Sequence, residues 1–162
     1  MKKETSPIRL YIFLIFSILN FSCEKYENLT EQVEFYEPNY FGICFSGLFD
    51  KNYDEVIITD NDSYQEFGNS IRIHPSNLNC DTAVLPYIDF DKYSLIGKYT
   101  EGGGCDVNYE RKIIDDKKHN KIVYTINIEY LGNCAMLIFN MNWALIPKLK
   151  KNYTVEFKVE GL

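Results

Sequence analysis

The chain has 162 residues, 46% hydrophobic, 15% aromatic and 25% charged, which suits one domain with its own core and excludes a disordered or collagen-like chain. Its net charge of −6 argues against DNA or RNA as a partner, because phosphate binding needs a basic surface.

Lys2, Lys3 and Arg9 precede an apolar run over 10–19, and small Ser22 stands just before Cys23. That is the layout of an export signal. As a helix the run rises only about 15 Å, roughly half of a bilayer core, and Glu24 and Lys25 follow closely, so a permanent membrane span is not expected. Leu19-Asn20-Phe21-Ser22-Cys23 resembles the lipobox of bacterial lipoproteins, and Ser-Cys followed by charges resembles leaders of the Bacteroidetes type. The resemblance implies a signal peptide over 1–22, an acylated Cys23 (a palmitate-type lipid), and anchoring in the cell envelope, with the outer membrane favoured. The alternative is an ordinary secreted protein cut elsewhere. Loss of the leader removes net +2 and leaves 140 residues at −8. Residues 23–40, acidic and without apolar periodicity, read as a tether, and 41–162 as a single β-rich domain.

Within that domain, 55–59 is a short apolar strand. Asp62 is placed to cap a short helix reaching about Ser70. A strand region follows over 88–99, then the string Thr100-Glu101-Gly102-Gly103-Gly104-Cys105. The glycines suit positive φ in a wide turn, the favoured reading; the alternative makes Glu101, Gly102, Gly103 and Gly104 a recognition loop. Strand 107–114, a polar turn over 115–120 and strand 121–130 come next. The last has Ile122, Tyr124, Ile126, Ile128 and Tyr130 alternating with mostly polar residues, so one face is buried and one is wet. A turn at 131–134 leads to 135–146, and 153–159 closes the sheet with Val155 and Phe157 on one face. The expected class is a β-rich α+β fold, an antiparallel meander with one short helix, braced by disulfides.

Symmetric turns at 115–120 and 131–134 set Val107, Tyr109 and Ile113 opposite Ile128, Ile126 and Ile122. They also set Leu137, Phe139, Met141 and Trp143 opposite Ile128, Ile126, Tyr124 and Ile122, so both turns give the same buried face. With Cys23 acylated, Cys44, Cys80, Cys105 and Cys134 remain, an even number for an exported protein. The register favours Cys105 with Cys134 and Cys44 with Cys80; crossed pairing or free thiols are the alternatives.

Catalytic chemistry has little to stand on. His74 and His119 lack metal-ligand spacing, and His119 sits in a charged turn. No Gly-x-Ser-x-Gly elbow occurs. Asp60 with Asp62, and Asp89 with Asp91, lack the glycine and distal glutamate of an EF-hand and read as caps and turns. No catalytic residue, metal or cofactor is assigned; a hydrolase using His74 and Asp81 is the least favoured reading. The thirteen tyrosines suit a glycan only where exposed, with Tyr36, Tyr40 and Phe41 the better candidates and the rest a tyrosine-rich core.

Residues 88–97, Gly102-Gly103-Gly104-Cys105, 143–148 and 155–157 resemble a class of small Bacteroidetes lipoproteins. More distantly they are similar to the protease-complex-subunit (PrcB-like) domain, in which an Asp-Phe strand, a Gly-Gly turn and a late Pro-Lys step occur in that order. The resemblance implies an accessory, non-catalytic envelope lipoprotein; with no catalytic constellation in a tethered, disulfide-braced domain, the expected partner is an envelope protein or glycan. The alternative is an inhibitor of a protease or lysozyme that inserts the loop at Gly102 to Cys105.

Overall fold

A computed structural model describes residues 30–35, 54–73 and 84–161. Cys23, Cys44, Cys80, His74, Asp81, Tyr36, Tyr40 and Phe41 lie outside them. The described elements are β1 (Thr30–Gln32), β2 (Glu55–Ile58), α1 (Asn61–Ile73), β3 (Tyr93–Gly103), β4 (Asp106–Asp116), β5 (Lys121–Leu131), β6 (Leu137–Pro147) and β7 (Thr154–Glu160).

Among the described residues the strands form two sheets, β1-β4-β5-β7 and β2-β3-β6. Their logic is that of one long hairpin folded at its middle. Strands β3 and β4 are separated only by Gly104 and Cys105, β5 and β6 by residues 132–136. The first pair of strands runs antiparallel to the second along nearly its whole length, β4 on β5 from Asp116↔Lys121 to Asp106↔Leu131 and β3 on β6 from Gly103↔Leu137 to Tyr93↔Pro147. Folding the ribbon lays its two halves face to face. Ile96, Ala144 and Ile146 of one sheet then meet Ile113, Ile122, Tyr124, Ile126 and Ile128 of the other. Behind the smaller sheet lies α1, whose Tyr64 and Phe67 pack with Leu95, Met141, Trp143 and Leu145. Phe67 meets Trp143 edge-on at 5.4 Å between ring centroids.

The β-rich class with one helix among the described residues, antiparallel sheets and a Cys105–Cys134 disulfide agree with the sequence reading; the single meander does not. Strand β6 pairs with β3 rather than turning back on β5. Every residue from Met141 to Ile146 is buried, odd positions under the helix and even ones between the sheets. A meander strand with one wet face would forfeit half of that burial, and a strand covered on both faces is the better solution. Leu137 and Phe139, expected inside, are 65% and 49% exposed.

The β4–β5 register also differs, Val107, Tyr109 and Ile113 facing Tyr130, Ile128 and Tyr124. Asp115 and Asp116 join the strand, and Asn120 at φ 51° closes a shorter turn. The slip is two residues, so the buried face is unchanged. Strand β7 adds parallel to β5, with Val155, Phe157 and Val159 toward the core.

Three smaller corrections concern local chemistry. Asp60, not Asp62, caps α1, its Oδ1 accepting from Ser63 N at 2.8 Å while its carbonyl takes Tyr64 N at 3.2 Å; the cap lies one residue before the first helical residue. Residues 30–35, assigned to the tether, belong to the folded body: Thr30 to Gln32 pair with Asp116 to Ile114, and Val33 and Phe35 pack on the sandwich core. The strand of 88–99 begins at Tyr93, after a turn in which Lys92 N and Tyr93 N donate to Asp89 O.

Gly97 lies in β3 under the Trp143 ring, where an added Cβ would come within 2.5 Å of Cε3. Phe67 packs edge-on against the same ring. Gly97→Ala is expected to destabilise the domain by about 1–3 kcal/mol, read as a lowered midpoint in urea with an unchanged slope.

Candidate functional site

The fold of the ribbon is its most distinctive local structure. Cys105 N donates to Leu131 O at 2.7 Å and Gly104 N to Met136 O at 3.2 Å, so hydrogen bonding continues through the bend. The Cys105–Cys134 disulfide ties the two crossing segments with 4.8 Å between Cα atoms. Gly132 has φ 74°, and a Cβ there would lie 2.5 Å from Cys105 Sγ, so a side chain would be strained twice over.

Glu101, Gly102 and Gly103 belong to β3 and pair with Phe139, Ile138 and Leu137; none of the three, nor Gly104, has positive φ. The missing side chain serves close approach at Gly102, where a Cβ would meet the Tyr130 ring at 2.2 Å. The candidate recognition loop is therefore a strand end running into a braced bend. On its outer side, Met136, Leu137 and Phe139 are about half to two-thirds exposed (54%, 65% and 49%), next to Glu101, whose Oε2 accepts from Tyr99 OH at 2.8 Å. The sequence reading missed this group. Its signal was the apolar run from Ala135 onward without a lysine, arginine or proline before Pro147, unusual for the edge of a sheet.

The inner side of the same end is polar. Asn142, fully buried, accepts at Oδ1 from Arg111 Nε and Nη2 at 3.1 and 2.9 Å and donates to Thr100 Oγ1 at 3.0 Å and Lys98 O at 3.2 Å. One side-chain amide thus satisfies partners from both sheets. Beside it, the buried hydroxyls of Tyr109 and Tyr130 have no hydrogen-bond partner among the described residues. The nearby Thr100 hydroxyl is engaged with Asn142 and Asn140 O.

Elsewhere the polar residues have structural work. His119 Nδ1 is 2.7 Å from Asp116 Oδ2 at the hairpin tip, which holds the Asp116 carboxyl below its usual range. Asp89 accepts from Asp91 N at 3.1 Å and pairs with Lys92 at 2.7 Å. Asp60, Asn61, Tyr87, Asp89 and Lys148 line an open cleft of about 340 Å³, but Asp60 and Asp89 are committed to cap and turn. No group of three or more His, Cys, Asp or Glu able to hold a metal occurs among the described residues, and no described helix is long and apolar enough to cross a membrane. No family model, curated protein or solved structure matches the chain.

Removing the Cys105–Cys134 link by a double Cys→Ser change is expected to cost about 2–4 kcal/mol. Exchange of amide hydrogens should then quicken first at Glu101 to Gly104 and at 132–137, before the centre of β5 opens. A second expectation concerns alkali. Burial pushes the Tyr99 phenol up to about 12, with Glu101 adding to it, and burial raises Tyr109 and Tyr130 as well. A phenol that holds its proton more tightly when folded contributes stability that is complete below the unfolded value, about pH 10. That stability is lost as pH rises through about 12, so tyrosinate absorbance should rise in two stages, the later one coinciding with unfolding.

Proposed function

We propose that this chain is a lipid-anchored envelope lipoprotein acting as a non-enzymatic binding or accessory module, attached to the outer membrane through a lipid on Cys23. The observation that carries the binding part is the exposed group Met136, Leu137 and Phe139 on a covalently braced sheet end. Apolar side chains held on rigid backbone offer a partner contact area at little ordering cost. The partner class favoured is an envelope protein. The order of Phe90, Gly102 to Gly104 and Pro147-Lys148 along the chain supports the distant relation to the protease-complex-subunit domain on which an accessory role rests. An inhibitor of a protease or lysozyme would have to use the outer surface of the bend, since Gly102 and Gly103 are paired with β6.

Two experiments test this reading. Crosslinking in cells followed by mass spectrometry should recover a stoichiometric neighbour with the native chain and lose it with Leu137→Asp plus Phe139→Asp, while the thermal midpoint of the variant stays close to native; the same neighbour on the variant would refute the patch. Labelling with a fatty-acid analogue should mark the native protein and not Cys23→Ser, which should be released in soluble form.

A further inference from the structure

Chain direction and charge meet at the end of the fold farthest from the bend. Thr30 pairs with Asp116, so the polypeptide coming from Cys23 joins the body beside the tip of the β4–β5 hairpin. Only six residues separate Cys23 from Thr30, a span of at most about 24 Å. An acylated Cys23 would therefore keep this tip within a short distance of the bilayer whatever path those residues take.

The tip and the neighbouring 150–153 turn carry Lys117, Lys118, Lys150 and Lys151, all exposed. A hydrogen bond from Thr154 N to Asn120 O at 3.1 Å ties the two turns together, and one from Tyr153 N to Lys150 O at 3.0 Å closes the second; Lys150 Nζ lies 5.0 Å over the Tyr153 ring. The acids nearby are largely engaged. Glu31 pairs with Lys117 at 2.6 Å, Asp116 with His119 at 2.7 Å and Glu156 with Lys121; Asp115 lies half-buried in β4. Lys118, Lys150 and Lys151 are left without an acidic partner among the described residues, projecting from the corner at which the tether arrives. By contrast, 99–110 and 127–142, which make the other end, hold Glu101, Asp106, Glu110 and Glu129 and no lysine or arginine except Arg111 just beyond.

We propose that this lysine corner seats on a phosphate-bearing membrane surface and thereby orients the domain, tip toward the lipid and bend away from it. The inference rests on the reading of Cys23 as the anchor, because the lipid supplies the proximity that makes the contact persist at physiological salt. At low salt the three lysines act together on anionic headgroups within a Debye length even without the lipid, and a tether this short raises their local concentration at the surface further.

The test uses the chain from residue 23 onward with Cys23→Ser, which holds every described element and cannot be acylated, so its outcome is independent of the fatty-acid labelling that tests the anchor. Flotation with phosphatidylcholine vesicles containing about 30% phosphatidylglycerol is expected to recover on the order of tenfold more protein than pure phosphatidylcholine at low salt. About 0.5 M salt should remove the difference. The variant with Lys118→Glu, Lys150→Glu and Lys151→Glu should lose it, and the Lys→Gln version should lose most of it, each retaining the Cys105–Cys134 link and a near-native thermal midpoint. Inorganic phosphate should compete no better than chloride at equal ionic strength. Equal flotation on both vesicles, or undiminished anionic binding by the folded variants, would overturn the proposal; displacement specific to phosphate would replace it with a discrete anion site.

Discussion

The two strands of the ribbon change sheet at the same place, and a disulfide with 4.8 Å between its Cα atoms joins them there. A two-stranded hairpin by itself has no interior. Folding it once creates one, but only if both strands bend together, because a bend in one alone would break the ladder. The β4–β5 and β3–β6 registers differ by three residues, taken up on one strand by the longer crossing over 132–136. The covalent tie and the positive φ of Gly132 hold that unequal crossing in register. Everything downstream depends on it: the burial of Ile96 against Ile126, the arrival of β7 beside β5, and the helix resting on the outer face of β3 and β6.

Interior chemistry follows the distance from the bend. Toward the tip the sheets meet through Ile113, Ile122, Tyr124 and Ile146; toward the bend the filling becomes Thr100, Asn142, Arg111 and the phenols of Tyr109 and Tyr130. A buried amide is costly unless its bonds are met, and Asn142 meets them from Arg111, Thr100 and the β3 backbone. These bonds are directional where isoleucine contacts are not, so they set how one sheet lies over the other. Sliding the sheets by one residue pair toward Ala144 would leave the Arg111 guanidinium facing a methyl group in place of the Asn142 amide.

Local signals were legible in the sequence, and pairing partners across long separations were less so. The alternation of Ile122 to Tyr130 placed β5 and its buried face correctly because period 2 survives a slip of two residues. Cys105 and Cys134 were paired from a register that was itself displaced, and the answer held because both cysteines lie at the bend in either register. The run 137–146 was misread for a definite reason. Its odd positions, Leu137 to Leu145, look like one buried face of a half-wet strand, whereas Ala144 and Ile146 at even positions signalled burial on both. Periodicity says nothing about which strand lies alongside, and here the partner was forty residues upstream. At the candidate site, the glycine string drew notice for its conformational freedom, while what matters at Gly102 is the ring of Tyr130 pressed against it, a contact across sheets that no local pattern encodes.

A ribbon folded once has two unlike ends. At the bend, strands pass from sheet to sheet without a loop, so backbone is held by hydrogen bonds and a disulfide, and side chains can be left exposed without loss of order. At the opposite end, about 34 Å away along β4, the chain makes its hairpin turn and its connection from β6 to β7, and β1 joins. These are solvated turns, rich in lysine. Since β1 enters there, a restraint transmitted through Thr30 acts first on its three-residue pairing with β4 and on the Glu31–Lys117 contact, at the end of the β4–β5 ladder opposite the bend. The part of the molecule that exposes Met136, Leu137 and Phe139 is thus at the end of the β4–β5 ladder farthest from the place where β1 joins it.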